Sequence, residues 1–265
     1  MKVTILGCGA SGGVPRIGGK DGAGDWDNCD PTEPKNRRLR ASILVEQGDT
    51  QVLVDTSPDM RQQCLTHGIN RLDAVLITHD HADHTHGFDD LRGIFHGRRD
   101  PIDIFASSET VKSLAARFDY AFSPEPTSGY KPFVVTNEID GDFDVGDIPI
   151  RAFVQDHGQM TSLGFRFGDI AYSTDLVSLP EESYEVLEGV DTWIVDSLKY
   201  ERHRTHANVD RALEMIERVK PRRAVLTHMT SQLDYRTLAG ELPAGVEPAF
   251  DGMVLSADRD PLLVG

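Results

Sequence analysis

Cysteine is scarce in this 265-residue chain, and the three that occur, Cys8, Cys29 and Cys64, never approach a CxxC spacing. Isolated thiols in odd number exclude a disulfide framework and an all-cysteine zinc knuckle, and they suit a reducing compartment in which all three stay free. Long hydrophobic runs are missing as well. Stretches such as Ala74–Ile77 and Ile194–Val195 fall far below the roughly 20 apolar residues of a membrane span. Only a few apolar residues lie between Lys2 and Gly7, with no cleavage-site pattern, so a cytoplasmic location is expected. Positive charge is in deficit: 27 Lys and Arg against 43 Asp and Glu give a formal net charge of −16. Such a surface repels nucleic acid and anionic lipid.

What remains is ordinary globular composition, with 39% hydrophobic and 26% charged residues. No internal repeat, low-complexity block or Pro-rich linker divides the chain, so one mixed α/β domain is expected over residues 1–265. Short β-type runs stand at Val3–Leu6, Ser42–Val45, Val52–Val54, Ala74–Thr78, Ile102–Phe105, Ile150–Val154, Ala171–Thr174, Thr192–Val195 and Ala224–Thr227. A helix is expected over Ser107–Phe118, capped by Ser107 or Ser108, and another over Val209–Lys220, where Pro221 ends an apolar stripe at helical spacing. Gly18 to Asn36 reads as a long loop.

Directly after the first run, Gly7-Cys8-Gly9-Ala10-Ser11-Gly12 matches the dinucleotide pattern GxGxxG. That pattern works only where a helix follows, because the helix N-terminus holds the pyrophosphate. Gly13, Pro15, Gly18 and Gly19 follow instead, so the segment is expected to be a tight glycine turn whose amides can line an anion pocket.

The informative segment is His79-Asp80-His81-Ala82-Asp83-His84, an HxHxDH pattern. In this composition it arises by chance about once in a thousand such chains. Leaving a strand end together, His79 and His81 can grip one metal, while Asp83 and His84 can address a second; imidazole and carboxylate suit zinc, manganese or iron. Three other β-type runs end in further donors: Asp156 and His157, Asp175, and His228. Strand ends converge at one sheet edge, the usual place for a site in α/β proteins.

On these residues the chain resembles the metallo-β-lactamase superfamily of metal-dependent hydrolases, over essentially its whole length. The resemblance implies a four-layer αββα sandwich with two divalent ions, Zn²⁺ or Mn²⁺, at one edge. It implies that His79, His81 and His157 hold the first, that Asp83, His84 and His228 hold the second, and that Asp175 bridges them. Asp55, after Val52–Val54, matches an aspartate that orients ligands from behind, and Asp196 is expected to hydrogen-bond His228 or another ligand. Gly7–Pro15, the tail Leu226–Asp234 and Phe250-Asp251-Gly252-Met253 look like the phosphoribosyl 1,2-cyclic phosphate phosphodiesterase (PhnP-type) family of phosphonate metabolism. That likeness implies hydrolysis of a small cyclic or nucleotide-like phosphodiester by a metal-bridged hydroxide, with His206 as general acid, and a homodimer. Where family members hold a structural zinc by three early cysteines and a late histidine, only Cys29 remains here and Ser231 replaces the histidine, so no such zinc is expected.

Two other functions occur in the superfamily. A tRNA 3′-processing endonuclease needs basic surface that this chain lacks. A non-catalytic carrier resembling pyrroloquinoline quinone biosynthesis protein B would show degenerate ligand positions, and here each is filled. Among the remaining candidates, His203 is expected to be a bystander, His86 to lie beside the site at most, and Asp80 to be a loop residue. Arg16, Arg37, Arg38 and Arg40 are equal candidates for holding a phosphate.

Overall fold

A computed structural model describes residues 1–122 and 131–256. Strands β1 (Lys2–Gly7), β2 (Ser42–Gln47), β3 (Thr50–Val54) and β4 (Ala74–Leu76) send successive side chains to opposite faces. Val3, Ile5, Ile43, Val45, Val52, Val54 and Leu76 enter one apolar core, and Leu6, Leu44, Leu53 and Val75 enter another. A sheet apolar on both faces must be covered on both. β5 (Ile102–Ala106) and β6 (Val134–Glu138) extend this sheet. The second sheet comprises β7 (Phe143–Val145), β8 (Ile148–Asp156), β9 (Thr161–Phe167), β10 (Ile170–Ser173), β11 (Thr192–Asp196), β12 (Arg223–Thr227) and β13 (Val246–Pro248), and β14 (Val254–Ser256) returns to the first.

Helices cover the outer faces. α1 (Met60–His67), α3 (Leu91–Arg98) and α4 (Ser108–Arg117) bring Met60, Leu91, Ile94 and Leu114 onto the outer face of the first sheet, with the short α2 (Ala82–Thr85) and α5 (Asp119–Phe122) between and after them. α6 (Glu181–Leu187), α7 (Val209–Val219) and α8 (Tyr235–Glu241) bring Leu187, Ala212, Met215 and Leu238 into the core that holds Trp193, Val195 and Val225 of the second. This is the four-layer αββα sandwich. Ser107 is the cap of α4, its hydroxyl accepting from Thr110 N at 3.2 Å. α7 starts at the cap Asn208 and ends on Lys220 in left-handed conformation, one residue before Pro221. Among the described residues no helix is long and apolar enough to cross a membrane. All three cysteines are unpaired.

Read from their edges β14 and β7, the two sheets follow the same succession. Antiparallel pairings run as far as β3 in one and β10 in the other, and parallel pairings run from there to the far edge. Asp55 follows β3 and Asp175 follows β10, each with a left-handed backbone, φ 65° and 55°. His228, directly after β12, has φ 58°.

β4 is shorter than the expected Ala74–Thr78 because Thr78 turns its N–H away from the sheet, onto Asp55 Oδ1 at 2.8 Å. The expected Ile150–Val154 lies inside a longer β8.

Candidate metal centre

The HxHxDH segment is held in shape from outside. Asp80, between His79 and His81, accepts from Ser113 Oγ at 2.6 Å and from Arg117 Nη2 at 2.8 Å, both on α4, and Arg117 also donates to the Asp80 carbonyl. Thr85 Oγ1 donates to the His81 carbonyl at 2.8 Å. Asp80 is therefore a loop residue, as expected, and one that fixes the turn between two donors. Ser113 and Arg117 carry no signal in the sequence, since only the contact reveals them.

Three other strand ends deliver the remaining donors to the same place. His79, His81, His157 and Asp175 form one group of potential ligand atoms, and Asp83, His84, Asp175 and His228 form a second. The Asp175 carboxylate stands between them. Its Oδ2 lies 3.6 Å from His79 Nε2 and 3.7 Å from His157 Nε2, and its Oδ1 lies 3.1 Å from His84 Nε2 and 3.2 Å from His228 Nε2. Asp83 Oδ2 completes the second group, 3.4 Å from His84 Nε2 and 3.6 Å from His228 Nε2. His81 faces His157 Nε2 through Nδ1 at 3.4 Å.

Those donor atoms fit a cation. The Nε2 atoms of His79, His84 and His228 are buried without a hydrogen-bond partner, a condition that costs about 1–3 kcal/mol for a polar group unless something else engages it. Nitrogen and carboxylate oxygen at these spacings suit a divalent ion of the zinc or manganese kind. Burial disfavours charge on His84 and His228, but neighbouring carboxylates outweigh it. Asp175, Asp55 and Asp83 hold His84 well above its ordinary pKa, and Asp175, Asp83 and Asp196 push His228 up to about 9. Burial likewise opposes ionisation of Asp175 and Asp83, yet the surrounding imidazoles hold both below the ordinary carboxylate range. His79 is pushed well below its ordinary value by burial and by His84. The anionic carboxylates and the neutral His79 imidazole are in the protonation states of metal ligands, whereas His84 and His228, raised by the same carboxylates, must each release a proton when a cation binds.

Contacts behind the donors select their tautomers. His84 Nδ1 donates to Asp55 Oδ2 at 2.7 Å, which leaves Nε2 free to face the site. His157 Nδ1 donates to the Thr205 carbonyl at 2.7 Å with the same result. Thr78 Oγ1 contacts both Asp55, at 2.9 Å, and His79 Nδ1, at 3.0 Å, so that Asp55 supports two donors at once. Of the partners open to Asp196, His228 has its Nδ1 3.8 Å away, too far for a hydrogen bond. Asp196 Oδ2 instead accepts from His206 Nδ1 at 3.0 Å and from Leu176 N at 3.1 Å, because the segment entering α7 brings His206 closer. The His206 ring stacks on His228 with centroids 4.9 Å apart, and its Nε2 points to within 3.8 Å of Asp175 Oδ2.

A cavity of about 420 Å³ opens over the donors, with His81, Asp83, Asp175, His206 and His228 in its wall. Of the four candidate arginines only Arg16 lines it. Arg40 pairs with Asp59 at 2.7 Å, and Arg37 lies over the Trp26 ring at 4.8 Å. Arg38 is buried, donating to the carbonyls of Thr230 at 2.9 Å and Leu233 at 2.6 Å beside the Cys29 thiol. That guanidinium ties the early loop to the segment after His228. Lys199 and His203 also line the cavity, so His203 is a wall residue and not the bystander the sequence suggested. His86 is in neither donor group and packs near Phe118.

Ala10 to Gly13 form part of the same wall. No helix follows them before the single turn Pro34–Asn36, so the glycine pattern is a turn and not a dinucleotide motif. The turn is seated by a late residue. Asp251 accepts from Cys8 N at 3.0 Å, Cys8 Sγ at 3.3 Å and Leu39 N at 2.7 Å, while Met229 N donates to the Cys8 carbonyl. Burial raises the Asp251 carboxyl to about 7, against an ordinary 3.8. Between pH 4 and 7 the folded chain thus retains a proton that the unfolded chain has lost, so this group's contribution to stability falls as pH rises through that window. The melting temperature of the wild type relative to Asp251→Asn is expected to decline from about pH 4 to about pH 7. A constant or rising difference would contradict the assignment.

Comparison with known proteins agrees with the fold. The sequence profile of the beta-lactamase superfamily domain matches residues 50–229. An octanoyltransferase of Porphyromonas gingivalis is 31% identical over 264 residues, 98% of this chain and 52% of that protein. The chain spans about half the length of the curated relatives it matches. The crystal structure of a diphosphatase from the PhnP family superposes with a TM-score of 0.88 at 32% identity, covering 97% of this chain and 98% of that one. Zn²⁺-bound PqqB from Methylobacterium extorquens shares the fold, with a TM-score of 0.72 at 20% identity over 97% and 100% of the two chains. With a matching profile over more than half its length and a whole-chain likeness to a PhnP-family structure, the chain belongs to the metallo-β-lactamase superfamily.

Proposed function

We propose that the chain hydrolyses a small phosphodiester, cyclic or nucleotide-like, with two divalent cations. In this reading His79, His81 and His157 hold one ion, Asp83, His84 and His228 hold the other, and Asp175 contributes an oxygen to each. When bound, such ions supply Lewis acidity to a phosphoryl oxygen and acidify water at neutral pH. The observation that carries the proposal is the position of His206. It belongs to neither of the two four-residue donor groups, yet its Nε2 faces their shared carboxylate at 3.8 Å. With Nδ1–H committed to Asp196, the protonated imidazole offers its second proton at Nε2, where a departing oxygen needs one. Likeness to a PhnP-family diphosphatase supports chemistry at phosphorus, and the filled donor positions argue against a carrier role.

Metal analysis paired with turnover of bis(p-nitrophenyl) phosphate tests the proposal. Two divalent ions per chain are expected, with turnover that a chelator removes and added metal restores. A protein holding two ions and inert toward small diesters would overturn the phosphodiesterase reading, and efficient cleavage of precursor tRNA would favour the nuclease in its place.

A further inference from the structure

Beyond His206 the cavity over the donors adjoins a second one of about 270 Å³. His203 and His206 line both, whereas none of His79, His81, Asp83, His84, His157, Asp175 and His228 reaches the second. Its far wall comes from Arg202 and from the first turns of α7. Arg211 there is already engaged, with Nη1 on Glu214 at 2.8 Å and Nε on the Val177 carbonyl at 3.3 Å. Arg202 and Asp210 are different: both are exposed, and among the described residues neither side chain makes a hydrogen bond or an ion pair. One wall thus offers a free cationic donor and a free anionic acceptor.

The position of this space matters more than its size. If His206 Nε2 protonates the departing oxygen, that oxygen sits on the donor side of the ring, and what it carries, directed away from phosphorus, has the space past His203 and His206 open to it. A cyclic diester keeps its departing oxygen tethered to the phosphorus-bearing fragment, so it has no separate group to place there. An acyclic diester does. The pairing of a free guanidinium with a free carboxylate suits hydroxyl groups, which both accept and donate.

We propose that the substrate is an acyclic phosphodiester whose leaving group is a polyol, such as a pentose or nucleoside hydroxyl, seated beyond His206 between Arg202 and Asp210. The inference rests on the hydrolytic reading of the site. In the reaction a water oxygen forms the new P–O bond as the P–O bond to the leaving group breaks. The electron pair stays on the leaving oxygen, which takes the proton from His206 Nε2, and the proton lost by water restores His206. One water is consumed, and a phosphomonoester and a free alcohol are released.

The test compares ribosyl and methyl diesters of one alkyl phosphate, read by release of ribose or of methanol, using the ratio of their kcat/KM in the wild type and in Arg202→Ala/Asp210→Ala, with circular dichroism to verify folding. Comparing ratios cancels the intrinsic difference between the two leaving groups. The ribosyl-to-methyl ratio is expected to fall about 10- to 100-fold in the variant, the loss of one or two hydrogen bonds to charged groups. An unchanged ratio, or a 2′,3′-cyclic nucleotide preferred over both acyclic diesters, overturns the inference and leaves the hydrolytic reading standing. If no diester, cyclic or acyclic, is turned over, both fall together.

Discussion

Replacing Asp175 with alanine is expected to strip the protein of its divalent ions and of its turnover in one step. Among the described residues no other side chain serves both of these donor groups: its Oδ1 is near His84 and His228, and its Oδ2 is near His79 and His157. Without it the first imidazole set has no anion and only Asp83, in the second, is left to offset two dications. Rates should fall on the order of 10⁴-fold or more, in the range seen when a group on which the whole catalytic unit depends is removed. Alanine also meets an unfavourable backbone at φ 55°, so Asp175→Asn is the companion variant: it accepts that conformation yet lacks the charge. Elemental analysis should find well under two ions per chain in both. An alanine variant retaining two ions would rule out the shared role.

Replacing His206 with alanine should act differently. Because His206 is outside the two four-residue donor groups that share Asp175, meeting only Asp196 and His228 in a smaller third group, metal content is expected to stay at the wild-type level while turnover slows by roughly 10²–10⁴, the usual worth of a placed proton donor. The loss should depend on the leaving group. An alkoxide needs the proton, whereas a nitrophenolate scarcely does, so the defect should be large for an alkyl ester and small for a nitrophenyl one. A structural lesion would lower both equally. Wild-type rates toward alkyl esters in this variant would remove His206 from the mechanism.

Much of this arrangement was legible in the chain because its donors occupy strand ends, and strand ends are where short β-type runs stop. His79 to His84, His157, Asp175 and His228 could be placed at one edge on that ground alone. What stayed hidden depends on packing. β9 was missed because Gly164 breaks its pattern; in the fold a Cβ there would come within 2.3 Å of the Phe153 ring, so the glycine serves close packing inside a strand. The choice of Arg16 over three neighbouring arginines, and of His206 over His228 as the partner of Asp196, turns on a few ångströms between segments far apart in sequence. Spacing carries no record of either. The common succession of pairings in the two sheets was equally invisible, since the pairing pattern repeats without any matching repeat of residues.

The left-handed backbone at Asp55, Asp175 and His228 bears on how this protein can change over generations. Among residues with a side chain, Asp, Asn and His are the ones that enter that conformation most readily, and glycine enters it freely. Drift at these three positions is therefore channelled toward asparagine and glycine, substitutions that spare the architecture and silence the chemistry. A descendant that has abandoned hydrolysis would carry its scars there first, with the sandwich around them intact.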